Sequence, residues 1–206
     1  MKPSFFMIVD FKNKKSVEIH NRSKKSWEDH GIMLNYFQAV TPEDLQHRDD
    51  LNFAQHMQLS YHRANKPKRT FTETEKACWY SHFDLWKFCQ TLNGPVVILE
   101  HDAVLYQPFP DDFDWNTCAG IGYNHDKSRV HICVAYLCTP ELANRLITVS
   151  TKKKIDLNQD GYVHSSIRKL SDKYYAHAYH QLYPDIGWTV EHNSGRPVWR
   201  ELGLID

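Results

Sequence analysis

Short apolar runs alternate with longer polar or amphipathic stretches along most of the chain. Phe5 to Val9 is a continuous apolar run that ends at Asp10, as expected of a strand buried on both faces. The polar, basic stretch that follows fits a helix ending near Gly31. Residues 33–40 (MLNYFQAV) predict a second strand, which the turn signal Thr41–Pro42 closes. The chain therefore begins as a strand–helix–strand unit of an α/β fold.

The strongest helical pattern begins at Thr72. Thr72 and Glu75 form the S/T-x-x-E capping pattern, in which a hydroxyl and a carboxylate satisfy two backbone N–H groups. Behind this cap, one apolar stripe at helical spacing comprises Cys78, His82, Leu85, Trp86 and Cys89. Gly94–Pro95 ends the helix, and the next apolar run predicts a strand over Val96 to Leu99.

The remaining segments give weaker patterns. Residues 49–64 place apolar residues at helical spacing and predict a helix, followed by a loop over residues 65–71. Residues 118–123 and 131–138 predict strands, and Thr139–Pro140 predicts the start of a helix that runs to about residue 149. A further helix begins near residue 160, and short strands and loops follow Tyr174.

Composition favours one α/β domain without an obvious polyanionic partner. The chain has 206 residues, 41% of them hydrophobic, and Lys+Arg and Asp+Glu both number 25. Local basic clusters occur at residues 12–15, 22–25, 66–69 and 152–154; they read as solvated faces more readily than as a nucleic-acid footprint.

Cysteine usage and hydropathy bear on the compartment. The five cysteines include no C-x-x-C pair and predict reduced thiols rather than a disulfide framework. No apolar run approaches the ~20 residues that a membrane-spanning helix requires. The apolar run near the start of the chain is too short for the core of a signal peptide. We therefore expect a cytoplasmic protein.

Candidate chemistry is concentrated where the strand at Val96 to Leu99 ends. Glu100 and Asp102 follow it, separated by His101. The two carboxylates can approach one cation if the chain turns there. Mg²⁺ or Mn²⁺, which can in turn hold a diphosphate, suits such oxygen ligands. The alternative is an ordinary solvent-facing strand end.

Two other sets of side chains have both a structural and a functional interpretation. His82 lies on the apolar stripe, so it is either a core histidine bonded to a neighbouring element or a catalytic residue. Tyr174, Tyr175 and Tyr179 fit core and interface positions better than a platform for stacking sugars. Signatures of P-loop, dinucleotide-binding, zincin and serine-hydrolase sites do not occur in the sequence.

Five segments together resemble one enzyme family. The opening strand and basic helix are followed by YFQAVTPEDL, a strand ending in a short "AV" turn. The helix ETEKACWYSHFDLW matches the pattern E-x-x-C-x-x-SH-x-x-x-W, and LEHD at residues 99–102 matches LEDD about a dozen residues later. VAYLCTPELANRLI is similar to a further family segment. The family is glycosyltransferase family 25, the bacterial lipooligosaccharide and collagen galactosyltransferase group with a GT-A fold.

The resemblance implies a fold and a division of labour along the chain. The fold would be a single GT-A-like α/β domain over residues 1–206, with a mixed, mostly parallel central sheet flanked by helices. Residues 1–117 would form the nucleotide-sugar-binding half and residues 118–206 the acceptor-side half. The reaction would move a hexose, galactose or glucose, from a nucleotide-sugar, such as a UDP-sugar, to a hydroxyl acceptor such as a glycan, with inversion.

The resemblance also implies roles for individual residues. Glu100 and Asp102 would hold Mn²⁺ or Mg²⁺ and the diphosphate, with His101 standing where the family usually has Asp. His192 would complete the metal shell, and Asp160, with Asp156 as its rival, would be the catalytic base. The nucleoside and the rest of the donor would contact a further set of residues: Asp10, Val40, Thr41, Ser81 and His82.

Two alternatives remain open at this point. One is a degenerate GT-A domain that binds a nucleotide-sugar or a glycan but has lost turnover through His101. The other is a glycosyltransferase whose acceptor is a modified base in nucleic acid, which the local basic clusters permit but do not specify.

Overall fold

A computed structural model describes residues 2–58, 69–105, 107–123, 133–157, 159–171 and 173–180. The helices are α1 (Lys14–Glu28), α2 (Glu73–Gln90), α3 (Pro140–Lys152) and α4 (Gln159–Leu170), and a 3-10 helix covers Pro42–His47. The strands are β1 (Ser4–Val9), β2 (Leu34–Gln38), β3 (Phe53–Gln58), β4 (Val96–Glu100), β5 (Ala103–Leu105), β6 (Ala119–Tyr123), β7 (Ala135–Cys138), β8 (Ile155–Leu157) and β9 (Tyr174–His180).

Seven strands form one mixed sheet in the order β2-β1-β4-β7-β6-β9-β5, and β3 pairs with β8 in a separate two-stranded sheet. The strands β1, β2, β4, β6 and β9 run in one direction, whereas β5 and β7 run in the other. The predicted α/β fold, with a mostly parallel central sheet flanked by helices, is confirmed. Because β2, β1 and β4 are adjacent and parallel, their carboxyl ends meet at one edge of the sheet.

The apolar side chains of β4 alternate between the two faces of the sheet. Val96 and Ile98 pack into the cluster that contains the buried residues of α2, while Val97 and Leu99 pack with Trp27 of α1. All four residues are almost completely buried. A continuous apolar run is what a strand covered by helices on both faces requires.

Helix α2 forms as its cap and stripe predict. The Thr72 hydroxyl accepts the backbone N–H of Glu75 at 3.2 Å, and the Glu75 carboxylate accepts the N–H of Thr72 at 2.9 Å. The stripe residues from His82 to Cys89 are buried against the sheet and α3. Local capping thus fixes where the helix begins, and burial of the stripe fixes which face of the helix packs against the sheet and α3.

Replacing Thr72 by Ala is expected to lower the free energy of unfolding by about 1 kcal/mol, because the N–H of Glu75 loses its side-chain acceptor. Urea denaturation followed by circular dichroism measures this change. Thr72→Ser retains the hydroxyl and serves as the control, with a loss well below that of Thr72→Ala. Equal stability of the alanine variant and the wild type would contradict a contribution from the cap.

The helix predicted over residues 49–64 is wrong where the structure describes it. Residues 53–58 form β3, which pairs with β8; the N–H of Ile155 also donates to the carbonyl of Asn52 at 2.8 Å. Phe53 packs edge-on against Phe71, with ring centroids 5.1 Å apart. Helical spacing there is coincidental, since pairing with a strand about a hundred residues away decides the conformation. Residues 59–64 lie outside the described residues, as does most of the loop predicted over 65–71.

The other predicted elements are confirmed where the structure describes them, with shifted ends: β2 is shorter than predicted, whereas α3 continues to Lys152. The strands and loops predicted beyond residue 180 lie outside the described residues. The Thr139 hydroxyl caps α3, accepting the N–H of Leu142 at 3.2 Å, and Pro140 occupies the first helical position. The short strands β5 and β8 were not predicted. All five cysteines are free thiols, as expected, although Cys78 is only partly buried. Tyr175 packs against Phe113 in the core, and the side chains of the other two tyrosines lie outside the described residues.

In the part of the chain that the structure describes, no helix combines the length and the apolar character needed to cross a membrane.

Candidate active site

The carboxyl edge of β2, β1 and β4 brings together several predicted donor-site residues. In the strand register, Ile8 lies opposite Glu100 and Val9 lies opposite Gln38. The N–H of Ala39 donates to the carbonyl of Val9 at 2.9 Å, so residues 39–41 leave the sheet beside the end of β1. In α/β sheets, ligands bind in the crevice outside this edge.

Asp10 organises the turn after β1. Its carboxylate accepts the N–H of Lys12 at 3.0 Å and the side-chain amide of Gln38 at 3.5 Å. Its own N–H donates to the Ser16 hydroxyl at 3.2 Å. Asp10 therefore lies at the predicted edge and connects the ends of β1 and β2.

Val40 and Thr41 are held at the same edge by α2 and the 3-10 helix. The Ser81 hydroxyl accepts the N–H of Val40 at 2.8 Å and donates to the carbonyl of Ala77 at 2.9 Å. The N–H and hydroxyl of Thr41 both donate to the Asp44 carboxylate, at 2.8 and 2.9 Å. The structure thus brings Ser81 and Val40 into contact, and Ser81 fixes the backbone where a nucleoside is expected.

The three residues after the apolar part of β4 have different surroundings. Glu100 is the last residue of β4, and its N–H donates to the carbonyl of Val134 at 2.9 Å. Its side chain is 22% exposed to solvent and lies near His82 of α2. His101 follows in a turn and is partly buried. Burial, Lys24 and, to a smaller extent, His101 lower the pKa of His20 on α1. Asp102 follows in a turn and is buried, with 7% of its surface exposed.

His82 is buried between Glu100 and Tyr136. Its Nε2 lies 3.8 Å from Glu100 Oε1, and its Nδ1 is hydrogen-bonded to the Tyr136 hydroxyl at 3.0 Å. The indole N–H of Trp86 donates to the same hydroxyl at 2.7 Å. Both interpretations of His82 are therefore met at once, since it is a hydrogen-bonded core residue and also faces a candidate functional acid.

A partly buried thiol lies next to this pair. Among the described residues, Cys78, His82 and Glu100 form the one group whose metal-ligating atoms, one per residue, all lie within 4.8 Å of one another. A sulfur, nitrogen and oxygen set suits Zn²⁺ better than Mn²⁺ or Mg²⁺. Asp102 is not part of that group, and His192 lies outside the described residues.

The segment that contains the predicted catalytic base reaches the candidate site through α4. The side-chain amide of Gln159, the first residue of α4, donates to Cys78 Sγ at 3.0 Å. Asp160 is the next residue, so its backbone lies close to the Cys78 end of the site; its side chain lies outside the description. Asp156 is in β8 and partly buried, and the indole N–H of Trp79 on α2 donates to the carbonyl of the neighbouring Leu157 at 3.1 Å.

Three site residues were missed from the sequence. Cys78 was interpreted only as a buried thiol, although its i,i+4 spacing from His82 places both on one helix face. Tyr136 lies in a predicted strand and in a segment similar to the family, neither of which assigns it to the site, and Gln159 carries no signal. Tyr136 and Gln159 reach α2 only through the tertiary fold, from 54 and 81 residues away in sequence.

A model of the family described as "Glycosyltransferase family 25 (LPS biosynthesis protein)" matches residues 12–117. This match covers more than half of the chain. The chain belongs to glycosyltransferase family 25. The matched segment includes α1, α2 and the end of β4, and therefore the edge of the sheet described above.

Two other comparisons complete the account of this family 25 glycosyltransferase. A solved structure, described as a glycosyltransferase involved in the glycosylation of the major capsid of PBCV-1, is similar to the chain at 8% sequence identity and a TM-score of 0.47. The superposition covers 96% of this chain and 100% of that chain. A comparison with curated proteins finds no match.

Proposed function

We propose that this family 25 glycosyltransferase transfers a hexose, galactose or glucose, from a UDP-sugar to a hydroxyl of a glycan acceptor, with inversion. The observation that carries the proposal is the juxtaposition of the family's helix motif and the strand-end acid. His82 Nε2 of that motif lies 3.8 Å from Glu100 Oε1, at the edge where Asp10 and Val40 also lie. An acid at such an edge is suitably placed beside a bound diphosphate.

The residues present fit a divalent cation with oxygen ligands. Glu100 and Asp102 supply two carboxylates close in sequence at the end of β4, and carboxylates are the ligands that Mn²⁺ and Mg²⁺ prefer. By resemblance His192 would be a third ligand. When bound, such a cation stabilises the negative charge that builds on the leaving diphosphate.

We assign nucleoside binding and proton transfer to residues of this chain. We assign the nucleoside to the surroundings of Asp10, Val40 and Thr41, where the backbone is held by hydrogen bonds to Ser81 and Asp44. Asp160, with Asp156 as the alternative, would accept the proton of the attacking hydroxyl. Residues 1–117 would then form the donor half of one domain and residues 118–206 the acceptor half.

The family description and the free thiols support a proposal for the acceptor and the compartment. The family is described as containing LPS biosynthesis proteins, so we propose a lipopolysaccharide precursor as the acceptor. Five free cysteines suit a reducing compartment, which supports a cytoplasmic location. Several lysines of α1 pair with acids one turn away, such as Lys24 with Glu28, which favours a solvated helix face over a nucleic-acid footprint.

A donor screen by thermal denaturation tests the proposal. With Mn²⁺ present, UDP-galactose or UDP-glucose is expected to stabilise the chain by about 2.7 kcal/mol at a concentration 100 times Kd. GDP- and CMP-sugars serve as matched controls and should give smaller shifts, and EDTA should abolish the shift with the UDP-sugar. Equal melting temperatures with all nucleotide-sugars would overturn the donor assignment.

The anomer released by slow donor hydrolysis tests inversion. With water as the acceptor, an inverting enzyme releases the β-hexose from a UDP-α-hexose. Proton NMR recorded before mutarotation distinguishes the two anomers. Release of the α-hexose would contradict inversion and the assignment of Asp160 or Asp156 as the base.

A further inference from the structure

The core beneath Glu100 contains a chain of hydrogen bonds. Tyr136 is completely buried, and among the described residues its hydroxyl has two hydrogen-bond partners, Trp86 Nε1 and His82 Nδ1. Burial raises the pKa of Tyr136 well above its ordinary value, so the hydroxyl keeps its proton. Trp86, which is also fully buried, begins the chain, and Glu100 lies beyond its far end.

The direction of these bonds follows from the chemistry of the groups. An indole N–H can only donate, so the Tyr136 oxygen accepts from Trp86. Among the described residues, the hydroxyl proton of Tyr136 then has one acceptor within reach, His82 Nδ1. If His82 instead donated from Nδ1, that buried hydroxyl proton would have no acceptor in the described part of the chain, which is costly at a buried position. His82 Nδ1 is therefore the acceptor, and in the neutral ring the proton is on Nε2.

This direction determines what Glu100 faces. Nε2, which carries the N–H in this tautomer, lies 3.8 Å from Glu100 Oε1, beyond the distance of a direct hydrogen bond. The N–H therefore acts on the carboxylate as a dipole held in place by a buried ring, although the carboxylate itself is only partly buried. The opposite tautomer would direct a lone pair at the carboxylate and would also be the form that Cys78, His82 and Glu100 need to hold a metal.

We propose that Tyr136 and His82 form a relay that keeps the ring proton of His82 on Nε2, the nitrogen 3.8 Å from Glu100, and so positions this carboxylate for the sugar-nucleotide donor. The proposal rests on the proposed function for its consequence, but not for its geometry. His82 is a positioning residue that acts through Glu100, and Tyr136 fixes the tautomer of His82.

The tautomer can be measured without any substrate. The full chain is labelled with ¹⁵N-histidine, and long-range proton–nitrogen spectra are compared with those of His82→Gln, which identifies His82 among the 13 histidines. The expected result is a single tautomer with the proton on Nε2. A wild-type signal with the proton on Nδ1 would overturn the relay.

Two core variants separate the relay from general destabilisation. Tyr136→Phe removes the bond to Nδ1, so the His82 signals should move toward an average of both tautomers, and kcat/KM for hydrolysis of the preferred UDP-hexose should fall about 10-fold. Trp86→Phe also removes one buried bond but leaves the Tyr136–His82 bond, so its melting temperature should fall while the tautomer is retained. Loss of the tautomer preference in both variants, or in neither, would contradict the assignment.

A double-variant comparison and a metal titration complete the test. In the Glu100→Gln background, Tyr136→Phe should cause no further loss of kcat/KM, because both act through one carboxylate; additive losses would overturn the positioning role. Adding Co²⁺ alone should give no thiolate absorption band. A band that is present in the wild type and absent in Cys78→Ser would show that Cys78, His82 and Glu100 bind a metal, and would contradict the relay. Absence of donor hydrolysis alongside the expected tautomer would count against the proposed function and not against the relay geometry.

Discussion

Replacing Glu100 by Gln is expected to lower kcat/KM for donor hydrolysis by about 100-fold or more while the fold is preserved. The substitution keeps the size and one oxygen acceptor of a side chain that is only partly buried, at 22% exposure, so stability should change little. It removes the negative charge that we assign to the cation and diphosphate. Hydrolysis of UDP-galactose and UDP-glucose with Mn²⁺ measures the loss.

Two further variants sharpen this result. Asp102→Ala should cause a comparable loss and raise the Mn²⁺ concentration needed for half-maximal rate, since Asp102 is proposed as a metal ligand. Glu18→Gln is the matched control. It removes a carboxylate on α1 from a side chain that is 60% exposed, and it should leave the rate unchanged. Full activity of both Glu100→Gln and Asp102→Ala would show that the strand-end acids do not hold the donor.

Replacing Trp79 by Ala is expected to lower the free energy of unfolding by about 3–5 kcal/mol. Trp79 is completely buried and packs edge-on against Trp86 and Tyr162, with ring centroids 5.9 and 4.9 Å apart. Its indole N–H donates to the carbonyl of Leu157 at 3.1 Å. The alanine variant therefore loses both the packing and the bond that join α2 to β8 and α4.

Thermal and urea denaturation measure this effect. For a chain of this size the melting temperature should fall by roughly 6–20 °C, at about 2–4 °C per kcal/mol. Trp79→Phe keeps much of the volume and should lose less, and Met33→Ala, at a side chain that is 77% exposed, should be nearly neutral. A fall of less than 1 °C in the melting temperature of Trp79→Ala would show that the contacts of Trp79 with β8 and α4 do not stabilise the fold.

Much of the active-site frame was predictable because its signals are local. The apolar runs that became β1 and β4, and the cap at Thr72 that begins α2, depend on residues a few positions apart. Parallel strands place their carboxyl ends together, so Asp10 and Glu100 could be expected at one edge. The family resemblance carried by the α2 motif then connected that edge to sugar transfer, and the match over residues 12–117 confirms the family.

The sequence by itself determined α1 to α4, the apolar strands β1 and β4 and the acids at the end of β4, since periodicity and capping act within a few residues. Only the tertiary structure decided that residues 53–58 pair with β8. It also brought Tyr136 to His82 and Gln159 to Cys78. Such contacts join residues far apart in the chain, and their free energy depends on how whole elements pack rather than on any local pattern.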